Sequence, residues 1–108
     1  MTRRVVQVIR LRPGKADDYR ALHRAVPQPV LDRLRACHIS NYSIHLCGDL
    51  LIGCFDYRGD DFDADMLRMA EDEATQAWWR LTAPCQESVA DAAPGQWWAP
   101  TEQLFLME

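Results

Sequence analysis

Two side chains near the front of the chain stand at a spacing that could do chemistry. In the run Asp17-Asp18-Tyr19-Arg20-Ala21-Leu22-His23, a helix would set Tyr19 and His23 one turn apart on one face, leaning the same way. A phenol and an imidazole so placed could pin a small polar ligand and move a proton on it. Histidine is the side chain best suited to exchanging protons near neutral pH. The plainer alternative is a helix-surface imidazole bonded to water and a tyrosine packed at the edge of a core. Spacing by itself favours the plainer one.

Other groups could complete a site. Tyr42 falls early in an alternating stretch with Ile44 and Leu46 on its side. If that side meets the helices, its hydroxyl reaches the same pocket. Trp78 and Trp79 are adjacent, and neighbours on a helix point about 100° apart, so one is core and the other is left for a groove or an interface. Indole faces stack on the C–H face of a sugar. Trp97-Trp98 follows a Pro-Gly loop, and packing or an interface is expected there. His38 and His45 are isolated, and no histidine pair has a metal-ligand spacing, so a metal site is not expected. No G-x-S-x-G, P-loop or G-x-G-x-x-G is present.

The elements that must position these groups follow from periodicity. Arg4 to Leu11 is rich in β-branched residues and reads as a strand, with Val5, Gln7 and Ile9 on one face. Pro13-Gly14 turns the chain into a helix carrying Tyr19 and His23. Pro27 and Pro29 interrupt it, giving either one kinked helix or two short ones through Cys37. Asn41 to Cys47 and Leu50 to Tyr57 alternate around Gly48-Asp49, a tight hairpin that pairs Cys47 with Leu50 and puts Cys54 opposite Ser43. The acidic stretch Asp60 to Glu73 starts a second helical region. Thr75 caps a further helix through Trp78-Trp79, and Pro84 disturbs its last turn. Thr101 to Met107 is expected as the final strand. The order is β-α-β-β-α-β, an α+β, ferredoxin-like arrangement with an antiparallel sheet and helices on one face. The bare sheet face predicts a homodimer.

Bulk properties bound the function. At 108 residues one domain spanning 1–108 is expected. Hydrophobic content of 48% and charged content of 26% are those of a soluble globular protein. A net charge of -4 without a basic block argues against nucleic acid as a partner. No apolar run approaches a membrane span. The four cysteines lack a C-x-x-C spacing and no export signal is visible, so a reduced, cytoplasmic protein is expected.

Taken together, the residues resemble the L-rhamnose mutarotases along nearly the whole chain. The resemblance rests on Tyr19-x-x-x-His23, Asn41-Tyr42-Ser43-Ile44 with its hairpin, Thr75-Gln76-Ala77-Trp78-Trp79, and Trp97-Trp98-Ala99-Pro100-Thr101-Glu102-Gln103-Leu104-Phe105. It implies a dimeric α+β barrel that interconverts the anomers of a monosaccharide, L-rhamnose first and L-fucose second, without a cofactor. Carried over by position, His23 matches the catalytic acid, and Tyr19, Tyr42, Trp78 and Trp79 match the sugar contacts. Where that family usually has Trp-Pro-Glu, this chain has Val26-Pro27-Gln28-Pro29-Val30. Two rival readings are a cofactor-independent monooxygenase of the same barrel type and a non-catalytic sugar-binding module.

Overall fold

In a computed structural model of the chain, which describes residues 2–108, the β-branched run forms strand β1, Arg3–Leu11. Helices α1, Ala16–His23, and α2, Gln28–Ala36, follow as two separate helices rather than one kinked one. Pro27 and Pro29 set the break, with Pro29 tolerated in the first turn of α2, where no intrahelical N–H bond is lost. Strands β2, Ile39–Cys47, and β3, Leu50–Tyr57, form the hairpin. Helices α3, Phe62–Glu71, and α4, Glu73–Thr82, follow, then a 3₁₀ turn over Ala83–Cys85. Two short strands close the fold, β4, Gln86–Glu87, and β5, Ala99–Pro100.

The sheet runs β2-β3-β1-β4, with β5 also on the β1 edge, and every pairing is antiparallel. The α+β ferredoxin-like expectation is therefore met. The hairpin register is also as expected: Cys47 faces Leu50 and Ser43 faces Cys54, around Gly48 at φ 63°. On β1 and β3 the residues Ile9, Leu11, Leu51, Phe55 and Tyr57 point inward and are buried. Each fully buried aliphatic among them contributes about 1.5–3 kcal/mol. Ile9, Leu11 and Leu51 pack with Tyr19 and Cys85 beneath α1, whereas Phe55 and Tyr57 pack with Cys37, Ile39 and Met69. Asp65, only 1% exposed, fastens that second cluster. It accepts from Tyr57 Oη and Arg68 and lies 2.9 Å from His38 Nδ1.

Two expectations are corrected. Thr101 to Met107 is not a strand: Leu104, Phe105, Leu106 and Met107 are all exposed, and the fourth-strand position is split between β4 and β5. Register limits how far such a strand could run. With Val8 facing Ala99 and Gln7 facing Pro100, Leu104 would come opposite Arg3, where β1 begins, so the apolar tail runs past the end of the sheet. The second correction concerns α4, whose cap is Asp72 rather than Thr75. The Asp72 carboxylate accepts from Thr75 N at 3.0 Å and Thr75 Oγ1 at 2.8 Å, which places Thr75 inside the first turn.

Candidate active site

Helix α1 ends at His23, with basic Arg20 and His23 in its last turn, where the helix dipole favours them. His23 Nδ1 sits 2.9 Å from the carbonyl oxygen of Tyr19, one turn back. A carbonyl can only accept, so Nδ1 carries the hydrogen of that bond. The free nitrogen is therefore Nε2: in the neutral ring it is a base, and in the imidazolium it is an acid. The rings of Tyr19 and His23 lie 4.3 Å apart. Trp78 from α4 meets His23 edge-on at 5.2 Å. Helix α4 is held there by its Asp72 cap, whose carboxylate also lies 3.2 Å from Arg33 Nε of α2.

Tyr42 reaches the same place because β2 is irregular. Ser40 pairs with Asp56 and Ser43 with Cys54, so Asn41 and Tyr42 together oppose Phe55. This is a β-bulge, two residues against one. It lets Ile39 and Ile44 both pack inward, which strict alternation forbids. Asn41 takes the left-handed conformation, φ 51°, which Asn tolerates better than most residues, and its side chain donates to Asp56 at 3.0 Å. That bond, with help from Arg4, holds the Asp56 carboxyl below its ordinary pKa. Ser40 Oγ, at the start of the bulge, is a buried polar atom without a partner among the described residues.

Between these side chains lie two adjoining lobes of about 380 Å³ and 680 Å³, within the range of small-molecule sites. Tyr19, His23, Tyr42 and Trp78 border both. The smaller lobe extends to Val26 and Leu31, the larger to Trp79, Gln7, Gln86 and Trp97, and Val30 and Leu34 line both. Burial pushes the Tyr42 phenol up to about 12, reinforced by Tyr19 and eased by the Gln7 amide. Burial also raises the Tyr19 phenol, against the Gln86 amide that donates to it. Neither tyrosine is ionised at neutral pH, so both carry a hydrogen.

All five residues singled out in the sequence thus border one site: Tyr19, His23, Tyr42 and Trp78 at its centre, and Trp79, 43% exposed, on the larger lobe. Trp98 packs over Gly53, where an added Cβ would come within 3.3 Å of the indole, as the packing expectation required. Lining residues that were not anticipated include Arg20 and His45 on the smaller lobe and Gln7, Gln86 and Trp97 on the larger. Gln7 was assigned only a strand face shared with Val5 and Ile9, and Gln86 joins the site through a bond to Tyr19, 67 residues away in sequence, which no local pattern signals. Trp97 stood out only as half of a tryptophan doublet.

Sheet, helices and lobes define an α+β half-barrel whose concave side carries an aromatic, hydroxyl-lined site for a small molecule. Comparison with known proteins narrows this. A family model for L-rhamnose mutarotase matches residues 4–107. A protein of Sinorhizobium medicae called L-rhamnose mutarotase is 38% identical over 99 residues, 90% of each chain. The crystal structure of an L-rhamnose mutarotase from Formosa agariphila superposes with a TM-score of 0.77 at 23% identity, covering 98% of this chain and 99% of that one. Tetracenomycin F2 cyclase from Streptomyces glaucescens shares the fold at a TM-score of 0.70 and 13% identity, covering 98% and 97% of the two chains. The chain belongs to the L-rhamnose mutarotase family, and is an isomerase of the mutarotase kind.

Proposed function

We propose that the protein interconverts the α and β anomers of L-rhamnose, with His23 Nε2 as the atom that gives and takes the proton. The supporting observation is the bond from His23 Nδ1 to the Tyr19 carbonyl. It fixes the ring so that Nε2 is left free beside two protonated tyrosines and the Trp78 edge. In ring opening, the imidazolium Nε2–H donates to the ring oxygen as the C1–O5 bond breaks. The anomeric hydroxyl loses its proton to water, and its electron pair forms the C1=O1 bond. After rotation about C1–C2, the O5 hydroxyl attacks the other face of C1 and gives its proton back to the neutral Nε2, while the C1=O1 electron pair returns to O1, which takes a proton from water. Acid–base assistance of this kind is typically worth ~10²–10⁴-fold.

Tyr19 and Tyr42 hold sugar hydroxyls, and Trp78 or Trp79 stacks on the ring. Val26 and Val30 supply an apolar wall on the smaller lobe, which suits the C5 methyl of a 6-deoxyhexose. The active form in this reading is a homodimer in the cytoplasm. Val6, Val8, Ile52 and Cys54 alternate with the buried residues of β1 and β3, each only partly covered, on the sheet face opposite the helix-packed side. Light scattering coupled to size exclusion should return twice the 12.4 kDa chain mass; a monomer would remove that part of the reading.

Saturation-transfer NMR of anomer exchange on L-rhamnose and L-fucose tests the activity. Wild type should exceed buffer, with L-rhamnose the faster, and His23→Ala should return to the buffer rate. Tight sugar binding without exchange would select the binding-module reading. Oxygen consumption with a phenolic substrate would select the monooxygenase.

A further inference from the structure

One wall of the larger lobe holds a chain of hydrogen bonds whose direction is set from one end. Trp97 Nε1 lies 3.0 Å from Gln86 Oε1, and an indole N–H only donates. The Gln86 carboxamide must therefore turn its oxygen to Trp97. Its nitrogen, which only donates, then faces Tyr19 Oη at 2.9 Å. Gln86 is 4% exposed, and its backbone carbonyl accepts from Arg12 Nε at 2.9 Å, so the strand that carries it is anchored. A phenol oxygen that accepts from Gln86 keeps its own hydrogen for another partner. Among the described residues Tyr19 Oη donates to no protein acceptor, while Tyr19 borders both lobes.

We infer that Trp97 and Gln86 are positioning residues that hold Tyr19 as a hydrogen-bond donor to the sugar, aimed at the anomeric oxygen as it loses its proton. The inference rests on the mutarotase reading and adds to it the partner of the developing charge. As the O1–H bond gives up its proton to water, negative charge builds on O1 until the C1=O1 bond forms. A preset donor stabilises that charge without reorganising at the moment of reaction. Were the amide reversed, its oxygen would draw the Tyr19 hydrogen away, and the phenol would present lone pairs to an oxygen already rich in them. The titratable and charged groups facing this chain are the Tyr19 phenol, the His23 ring beside it, the Tyr42 phenol across the cavity, the Cys85 thiol and Arg12, which also pairs with Glu87.

Gln86→Glu tests the direction with almost no change of shape. Protonated, the introduced carboxyl still accepts from Trp97 and donates to Tyr19. Ionised, it accepts from both, and the Tyr19 hydrogen turns away from the sugar. The ratio of variant to wild-type kcat/KM for anomer exchange, followed between about pH 4 and 9, should stay near one at the acid end. It should fall about tenfold or more as the carboxyl ionises. Gln86→Met should lose activity by a similar factor with a ratio flat in pH. Trp97→Phe, at a residue 44% exposed, should fold normally and lose about threefold to tenfold. A Gln86→Glu ratio that is flat across pH would overturn the inference while leaving wild-type exchange, and so the mutarotase reading, intact. If wild type itself fails to exceed buffer, the functional reading fails separately. The donor order is then still read by the scalar coupling across the hydrogen bond from Trp97 Nε1 to the Gln86 side-chain carbonyl carbon: present, the order stands; absent, it is wrong.

Discussion

Gly59→Ala tests the packing around Tyr57 and Asp65, neither of which lines the cavity. A Cβ built on Gly59 would overlap Tyr57 Oη, and would come 2.6 Å from Tyr57 Cζ and 2.7 Å from Asp65 Oδ2. Real Cβ contacts essentially never fall below 3.0 Å. Neither neighbour is a loose end that could swing aside, because Tyr57 is 3% exposed and Asp65 1%. Tyr57 also closes edge-on against Phe62 at 5.1 Å. Forcing a methyl into such a site costs about 1–3 kcal/mol. For a domain near this size, each kcal/mol lowers Tm by roughly 4–8 °C, so the variant should melt about 5–20 °C early. Differential scanning calorimetry gives the shift, and urea titration gives the free energy. The anomer exchange rate of the folded fraction should equal wild type, since Gly59 does not line either lobe. A second comparison sharpens the test: in a Tyr57→Phe background the first overlap disappears, and Gly59→Ala should cost less. A Tm within about 2 °C of wild type would refute the packing argument, as would an undiminished cost in the Phe background.

Three further outcomes are expected. Stability should be lost at both pH extremes: Asp65, Asp56 and Asp72 all titrate below their ordinary range when folded. Their contribution is thus present above the unfolded carboxylate pKa of about 4 and fades as pH falls below it. Tyr42 and Tyr57 are raised to about 12, so their contribution is present below about pH 10 and fades as pH climbs toward 12. Denaturation midpoints against pH should show both limbs, and Asp65→Asn should shrink the acid one. Tyr42→Phe should lower kcat/KM about threefold to tenfold by removing one neutral hydrogen bond to the sugar, with the fold intact by circular dichroism. Trp78→Ala should lose about tenfold in kcat/KM through the lost contacts with sugar and His23, and more than Trp79→Ala, whose side chain is half outside the site.

What was legible in the sequence was what local chemistry controls. Gly48-Asp49 fixed a tight turn, and the turn fixed the register of both hairpin strands. The Tyr19 and His23 spacing needed only helical periodicity to put the pair on one face. The Trp78-Trp79 doublet was expected to give one core and one groove residue, but neither is buried and both border the larger lobe, the core face of α4 being taken by Thr75 and Thr82. The bulge at Asn41-Tyr42 was hidden because it depends on a carboxylate of the neighbouring strand, Asp56. Asp72 and Thr75 are both capping types three residues apart, and pattern alone did not choose between them; the carboxylate won by accepting two bonds at once. The apolar tail Leu104 to Met107 looked like a strand because strand propensity says nothing about whether a sheet edge remains to receive it. Gln86 was invisible for a similar reason, since its link to Tyr19 spans 67 residues.

The central claim is that His23 Nε2 exchanges a proton with the sugar's ring oxygen. A crystal soaked with L-rhamnose measures it most directly. The sugar should lie between Tyr19, Tyr42 and Trp78, with its ring oxygen within about 2.6–3.2 Å of Nε2 and Nδ1 still bonded to the Tyr19 carbonyl. A sugar bound elsewhere, or bound there with its ring oxygen turned away from His23, would contradict it.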